Sequence, residues 1–371
     1  MNTRERIKAI LNYEKSDKLP ALHFGYWYET LAKWAEEGHI SMDVAMSWGE
    51  SKEADAELNK IIGWDQDFGY AANLCDMNLR PVFDSEVLAE FEDDSKHVRG
   101  YDGVVLLQKP EAGSIPAEIE HILVDRKSWE QHYLPRLQFT EDRYINNQGM
   151  IDYINADRDF YFSIVAGSIY GTIRNWIGVV GTSYMLADDP DLLKEIIDTF
   201  ADLQYKCVEK TLAITSNFDG ASMWEDICFN YGPLINPKIF AQWCGPHYKK
   251  LTDLLAKYGI TRVHLDCDGL IDELVPIWVE NGVNIMFPIE VGTWGGSLSN
   301  FRQKLGKKVK GVGGMDKKVF ALDYKAVDKE IERLRPIIEM GGYIPCPDHR
   351  IAPDAKFDNV KYYVEKIKEI F

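Results

Sequence analysis

From about residue 160 onward, short apolar runs alternate with longer stretches in which apolar residues recur every three or four positions. The runs lie at 160–166, 219–224, 261–267, 283–289, 309–313 and 342–345, and amphipathic stretches lie at 191–211, 237–258, 271–281, 298–305 and 328–340. The short runs end at Gly, Pro or acidic residues and predict buried strands, whereas the 3.6-residue period predicts helices. Their alternation predicts parallel βαβ units with right-handed crossovers. Nearer the start, Thr3 reads as the N-cap of a helix over 4–13, and 21–24 as a first strand. Between 79 and 108 the texture changes to the runs 87–91, 97–101 and 104–108, the last two separated by Asp102-Gly103. That dipeptide is a hairpin signal, so a small antiparallel insertion is expected here. Residues 110–158 show helical patches and predict no strand. No Gly-rich dinucleotide fingerprint follows an early strand. The length and spacing suit a distorted (β/α)8 TIM barrel better than an open doubly wound sheet. With no repeat and no long linker, one domain over 1–371 is expected.

Composition narrows the function classes. Lys plus Arg number 42 against 59 for Asp plus Glu, a net charge of −17, which repels nucleic-acid phosphates and anionic membranes. No run of 18 apolar residues is present, so no membrane span is expected. The six cysteines, Cys75, Cys207, Cys228, Cys244, Cys267 and Cys346, lack CxxC spacing and read as reduced thiols. The charged, amphipathic opening reads as a helix rather than a signal peptide. The expectation is a cytoplasmic globular protein that binds neither nucleic acid nor membrane.

Functional groups of a (β/α)8 barrel sit at the C-terminal ends of its strands. Residues 263–269 read Val-His-Leu-Asp-Cys-Asp-Gly. On a strand, His264, Asp266 and Asp268 share one face. Other predicted strands are followed by Glu225-Asp226, by Glu290, by Asp316 and by Asp348-His349-Arg350. Any one of these acids has a simpler reading as a helix N-cap. Together they imply a metal, because converging carboxylates raise one another's pKa and a divalent cation removes that cost. The candidate ligands are Asp266, Asp268, His349 and Glu225, a mixed oxygen and nitrogen set suited to zinc or another divalent ion. Asp226 and Glu290 are the candidate acids. Cys267 points away from the aspartates, and Cys346 reads as a buried thiol. The pocket walls are expected from His23, Tyr26 and Trp27 after the first strand and from Tyr170 and Arg174 after the run at 160–166. His264 and Asp316 complete that list, His264 with a core histidine as its alternative.

Several segments resemble the uroporphyrinogen decarboxylase superfamily, and within it the branch containing zinc- and cobalamin-dependent methyltransferases. They are Thr3-Arg4-Glu5-Arg6 through Asp17-Lys18-Leu19-Pro20; Gly232-Pro233-Leu234-Ile235-Asn236-Pro237; Gly313-Gly314-Met315-Asp316; and Gly341-Gly342-Tyr343 through Pro353-Asp354 and Asn359-Val360. The resemblance implies a distorted (β/α)8 barrel. The branch's zinc motif, His-x-Cys-Gly, falls on Asp266-Cys267-Asp268-Gly269, and its last cysteine on His349. Carboxylate and imidazole thus stand where the branch has sulfur, which suits an oxygen substrate better than a soft thiol. The implied activity is demethylation of a small O-methyl compound, with the methyl passed to the cobalt of a partner corrinoid protein. Cobalamin would be carried by that partner, because no Asp-x-His-x-x-Gly segment is present. Whether the chain forms a homodimer is open. The alternatives are a metal-free decarboxylase, a metal-dependent isomerase or hydrolase on the same barrel, and a binding protein. The decarboxylase's Arg-rich segment is replaced here by His23-Phe24-Gly25-Tyr26-Trp27-Tyr28.

Overall fold

A computed structural model describes residues 1–109 and 116–370. Eight parallel strand positions wind through it. These are β1 (Leu22–His23), β2 (Gln66–Asp67 continued at Ala71–Ala72), β3 (Ser163–Gly167), β4 (Gly220–Trp224), β5 (Val263–Asp266), β6 (Ile285–Phe287), β7 (Lys310–Met315) and β8 (Tyr343–Pro347). Strands β8, β7, β6, β5, β4, β3 and the second half of β2 form one parallel sheet in that order. The first half of β2 pairs with β1, and a parallel bridge from Tyr26 to Ile351 continues on the closing side. The architecture is a (β/α)8 barrel, distorted where β2 is interrupted at 68–70. That interruption hides the second strand from a reading of apolar runs.

Most strands are buried on both faces, as parallel barrels require. The outer helices turn apolar stripes toward them. In Pro190–Ile214, Asp189 caps the first turn by accepting from the Leu192 N–H at 3.0 Å. Leu193, Ile196, Ile197, Phe200, Leu203, Cys207 and Val208 then face inward at helical spacing. At the opposite end from the strand C-termini, buried Asp219 ties the first helix to the barrel by accepting from Arg4 (2.7 Å) and Arg158 (3.0 Å).

The insertion is larger than expected. It is a four-stranded antiparallel sheet of Glu86–Glu90, Lys96–Arg99, Val104–Gln108 and Ala117–His121, and the turn at Asp102-Gly103 lies where the dipeptide placed it. The fourth strand corrects the expectation of no strand beyond 110. Its residues, Ala-Glu-Ile-Glu-His, are mostly exposed, so they carry no apolar run. Helices at Tyr28–Glu36, Met42–Ser47 and Lys52–Ile62, between β1 and β2, were also not anticipated. Among the described residues no helix is long and apolar enough to cross a membrane.

Candidate metal centre at the barrel mouth

Strand β5 stops at Asp266, so Asp268 lies beyond the pleat and the alternation argument does not reach it. The chain then turns at Gly269, whose φ is +92° and whose N–H donates to Glu290 Oε2 at 2.7 Å. Beyond the next strand, Glu290 follows Ile289, a non-glycine residue with φ +57°. Such backbone is sparsely populated and is held by its surroundings. Part of that hold is Gly313, at φ +125°, where any side chain would run into the Pro288 carbonyl. The neighbouring Gly314 N–H donates to the same carbonyl at 2.8 Å. After β8, Asp348 is buried and accepts from the backbone N–H groups of Gly292 (2.7 Å) and Lys317 (3.1 Å), joining the loops after β6, β7 and β8.

These turns bring Asp268, Glu290 and His349 together, with one ligand-type atom from each lying within 4.8 Å of the others. His349 Nε2 is 3.1 Å from Asp268 Oδ2, while Asp268 Oδ1 is buried without a hydrogen-bond partner. Trp27 stacks on the His349 ring at 5.6 Å, and Phe24 meets it edge-on at 5.4 Å. Arg174 donates to the Asp226 carbonyl at 2.6 Å and to its carboxylate at 3.3 Å, and both residues line the cavity that holds the cluster.

Burial, and then the neighbouring Asp268, push the Asp226 and Glu290 carboxyls above the usual carboxylate range. Asp266 is raised well above it by burial, then by Asp268 and Asp226, while its backbone carbonyl accepts from the Glu225 N–H at 2.8 Å. Lys317 is the nearby cation that sequence reasoning missed. Burial lowers its pKa, opposed by Asp348, Glu290 and Asp268. A lysine after a barrel strand gave no signal distinguishing it from surface lysines.

The donor set fits a hard or borderline divalent cation: two carboxylates and one imidazole converge, and one buried oxygen lacks a partner. It differs from the expected ligand set at three residues. Glu290 joins the cluster and Asp266 does not, because Asp266 is still on the strand and directed into the barrel. Glu225 is elsewhere. Its fully buried carboxylate accepts from the backbone N–H groups of Ile169 (2.5 Å), Tyr170 (3.0 Å) and Gly171 (2.5 Å), and from the hydroxyls of Ser168 (3.2 Å) and Tyr248. It therefore anchors the turn after β3 and is not part of the cluster.

The expected wall residues divide in the same way. Trp27 and Arg174 are at the cluster. Tyr170 is buried, edge-on to Phe240, and Tyr26 is buried between Trp34 and Trp48. Asp316 accepts from the Lys318 N–H at 3.0 Å and caps the turn after β7. His264 sits deeper, between Phe68 and Phe287, with Nδ1 unpartnered and a pKa lowered to about 3 by burial. Its core alternative describes these surroundings.

His23 is likewise held in the interior, as a neutral ring. Its Nε2 lies 2.9 Å from Asn59 Oδ1 and its Nδ1 accepts from the Gly25 N–H at 3.0 Å, so the proton is on Nε2. Burial lowers its pKa below the ordinary value. The unfolded imidazole, near ~6.5, takes up a proton before the folded one, so this site removes stability as pH falls below that value. Urea midpoints measured from pH 7.5 down to 5.5 are expected to decline less steeply in His23→Gln than in the unsubstituted chain. Equal slopes would show that the ring titrates freely in the folded state.

The comparisons with known proteins fit this architecture. No curated protein matches the sequence. Among solved structures, the chain is similar to a methyltransferase from Methanosarcina mazei, with 14% identity, a TM-score of 0.60, and coverage of 100% of this chain and 99% of that one. A B12-independent methionine synthase from Shewanella sp. W3-18-1, solved in complex with selenomethionine, aligns at 9% identity and a TM-score of 0.49 over 95% of this chain and 98% of that one. At such identities the Methanosarcina likeness establishes the fold. The family model described as uroporphyrinogen decarboxylase (URO-D) matches residues 172–370, more than half of the chain and every strand from β4 to β8, and the chain belongs to that family.

Proposed function

We propose that this protein is a metal-dependent methyltransferase that moves a methyl group from a small O-methyl compound to the cobalt of a partner corrinoid protein. The observation that carries the reading is the convergence of Asp268, Glu290 and His349 at the C-terminal end of the barrel. These residues would hold zinc or another divalent cation, and Trp27 and Phe24 would fix the His349 ring. When bound, the cation supplies Lewis acidity toward an ether oxygen. Asp226, whose pKa burial raises, would hold a proton for the departing oxygen on the carboxyl oxygen that Arg174 leaves free. The carbon–oxygen bond of the methyl ether would break with its electron pair left on the oxygen, which would take the Asp226 proton, and the methyl group would pass to the partner's Co(I), which would supply the electron pair of the new bond.

The methyltransferase neighbour from Methanosarcina mazei supports this reading at the level of a shared fold. Oxygen-rich ligation favours an oxygen donor over a thiol. Decarboxylation of a tetrapyrrole rich in carboxylates is disfavoured, because such a substrate would meet Asp226, Asp266, Asp268 and Glu290. The test is elemental analysis of the protein, followed by incubation of metal-loaded protein with Co(I) corrinoid protein and a panel of methoxylated compounds. Loss of the Co(I) absorbance with methyl–cobalt formation is expected, and chelation should abolish it. Failure of every methoxylated compound with fully loaded protein would sink the reading.

A further inference from the structure

A second cavity, of about 390 Å³, opens at the barrel mouth on the β2–β4 side. Its volume is at the small end of the usual range for ligand pockets, about 300–1,000 Å³. Asn73 and Cys75–Asn78 after β2, Ser168 and Thr172 after β3, and the inward faces of β3 and β4 at Val165, Ser222 and Trp224 surround it. It is one strand from Asp266, since Ser222 pairs in register with His264 and Trp224 with Asp266. Adjacent strands are about 4.8 Å apart, so this cavity opens at the same C-terminal end of the barrel as the Asp268–Glu290–His349 cluster, with a lining of its own.

The polar groups of its lining are of two kinds. Asn73 is spent on the Val165 carbonyl, the Cys75 N–H and the Thr211 hydroxyl, and Gln204 bonds Ser168 in both directions. The Ser222 hydroxyl, the Thr172 hydroxyl and the Trp224 indole N–H make no hydrogen bond among the described residues, leaving neutral groups beside an aromatic face. No lysine or arginine lines the cavity. Among the described lining residues the one charged side chain, Asp76, accepts from the Asn78 N–H at 2.9 Å and lies 3.9 Å from Arg80. A ligand carboxylate would find no cation on the described lining to pair with and would face Asp76. A flat apolar ring with one or two neutral polar substituents matches the indole face and the free hydroxyls.

We propose that this cavity binds the uncharged aromatic ring of the methyl donor, so that the protein selects neutral aryl methyl ethers. The proposal rests on the function stated above. Titration calorimetry of the metal-loaded protein at pH 7, with no corrinoid protein present, tests it with three single-ring probes: 2-methoxyphenol, 4-methoxybenzoate and phenyltrimethylammonium. Saturable binding of 2-methoxyphenol is expected, with the two charged probes at least tenfold weaker. Ser222→Phe and Thr172→Phe, which enlarge lining residues on two different elements, should each weaken 2-methoxyphenol at least tenfold while metal content and melting temperature stay unchanged. If one variant fails to fold, the other decides. No binding of 2-methoxyphenol, equal binding of either charged probe, or unchanged affinity in the folded variants would each overturn the proposal. The two readings fail separately. Ser222-dependent binding without methyl transfer removes the methyltransferase reading alone, and methyl transfer that both variants sustain at unchanged KM removes the cavity assignment alone.

Discussion

His349→Ala is expected to lose the metal and the methyl transfer while the barrel stays folded. The imidazole supplies the one nitrogen of the cluster and stands 3.1 Å from Asp268 Oδ2. Without it, Asp268 and Glu290 face each other across a gap with no third donor, and the pKa of Glu290 is already raised by Asp268. Changes to groups that merely orient a ligand typically cost about 10–100-fold in metal affinity. Losing a ligand should therefore weaken binding by more than ~100-fold, enough to empty the site during dialysis. The fold should tolerate the change, because the ring touches Trp27 and Phe24 at the mouth rather than supporting a strand. Asp268→Ala should behave alike. Elemental analysis beside circular dichroism checks both variants, and full metal occupancy in the two folded variants would exclude this cluster as the binding site.

The largest expected effect on stability comes from Glu225→Ala. Its carboxylate receives three backbone N–H groups and two hydroxyls in the interior, and the backbone donors begin the helix Gly171–Ile177. Burial raises its pKa, and the Tyr248 hydroxyl and these N–H groups oppose that rise. Removing the acceptor leaves several buried donors unsatisfied, each at about 1–3 kcal/mol. Breaking such a buried charged network typically costs about 3–5 kcal/mol. Thermal unfolding should register a fall of about 5 °C for a chain of this length. Glu225→Gln, which keeps the shape and one acceptor oxygen, should recover part of the loss. A Glu225→Ala protein of unchanged Tm but depleted metal would instead return Glu225 to the metal centre.

These two residues illustrate what can be read from a linear chain. The barrel was legible from β3 onward because strands buried on both faces are written as apolar runs and their helices as stripes of period 3.6. The interrupted β2 and the exposed edge strand Ala117–His121 carry neither signature. Asp268, Glu290 and His349 were all recognisable as candidates, because polar residues just past barrel strands lie at its mouth. Their grouping was not recognisable. Strand alternation joined Asp266 to Asp268, but the strand ends between them.

The sequence by itself determined the parallel barrel and the set of polar groups at its mouth, because periodicity and strand ends are local properties of the chain. The tertiary structure alone decided which of those groups meet. Glu225 and Glu290 both follow a barrel strand, yet one anchors a helix start and the other enters the cluster. The difference depends on positive-φ turns at Gly269, Ile289 and Gly313 and on close packing of Gly313 against Pro288. Those contacts join residues distant along the chain, so no local pattern specifies them.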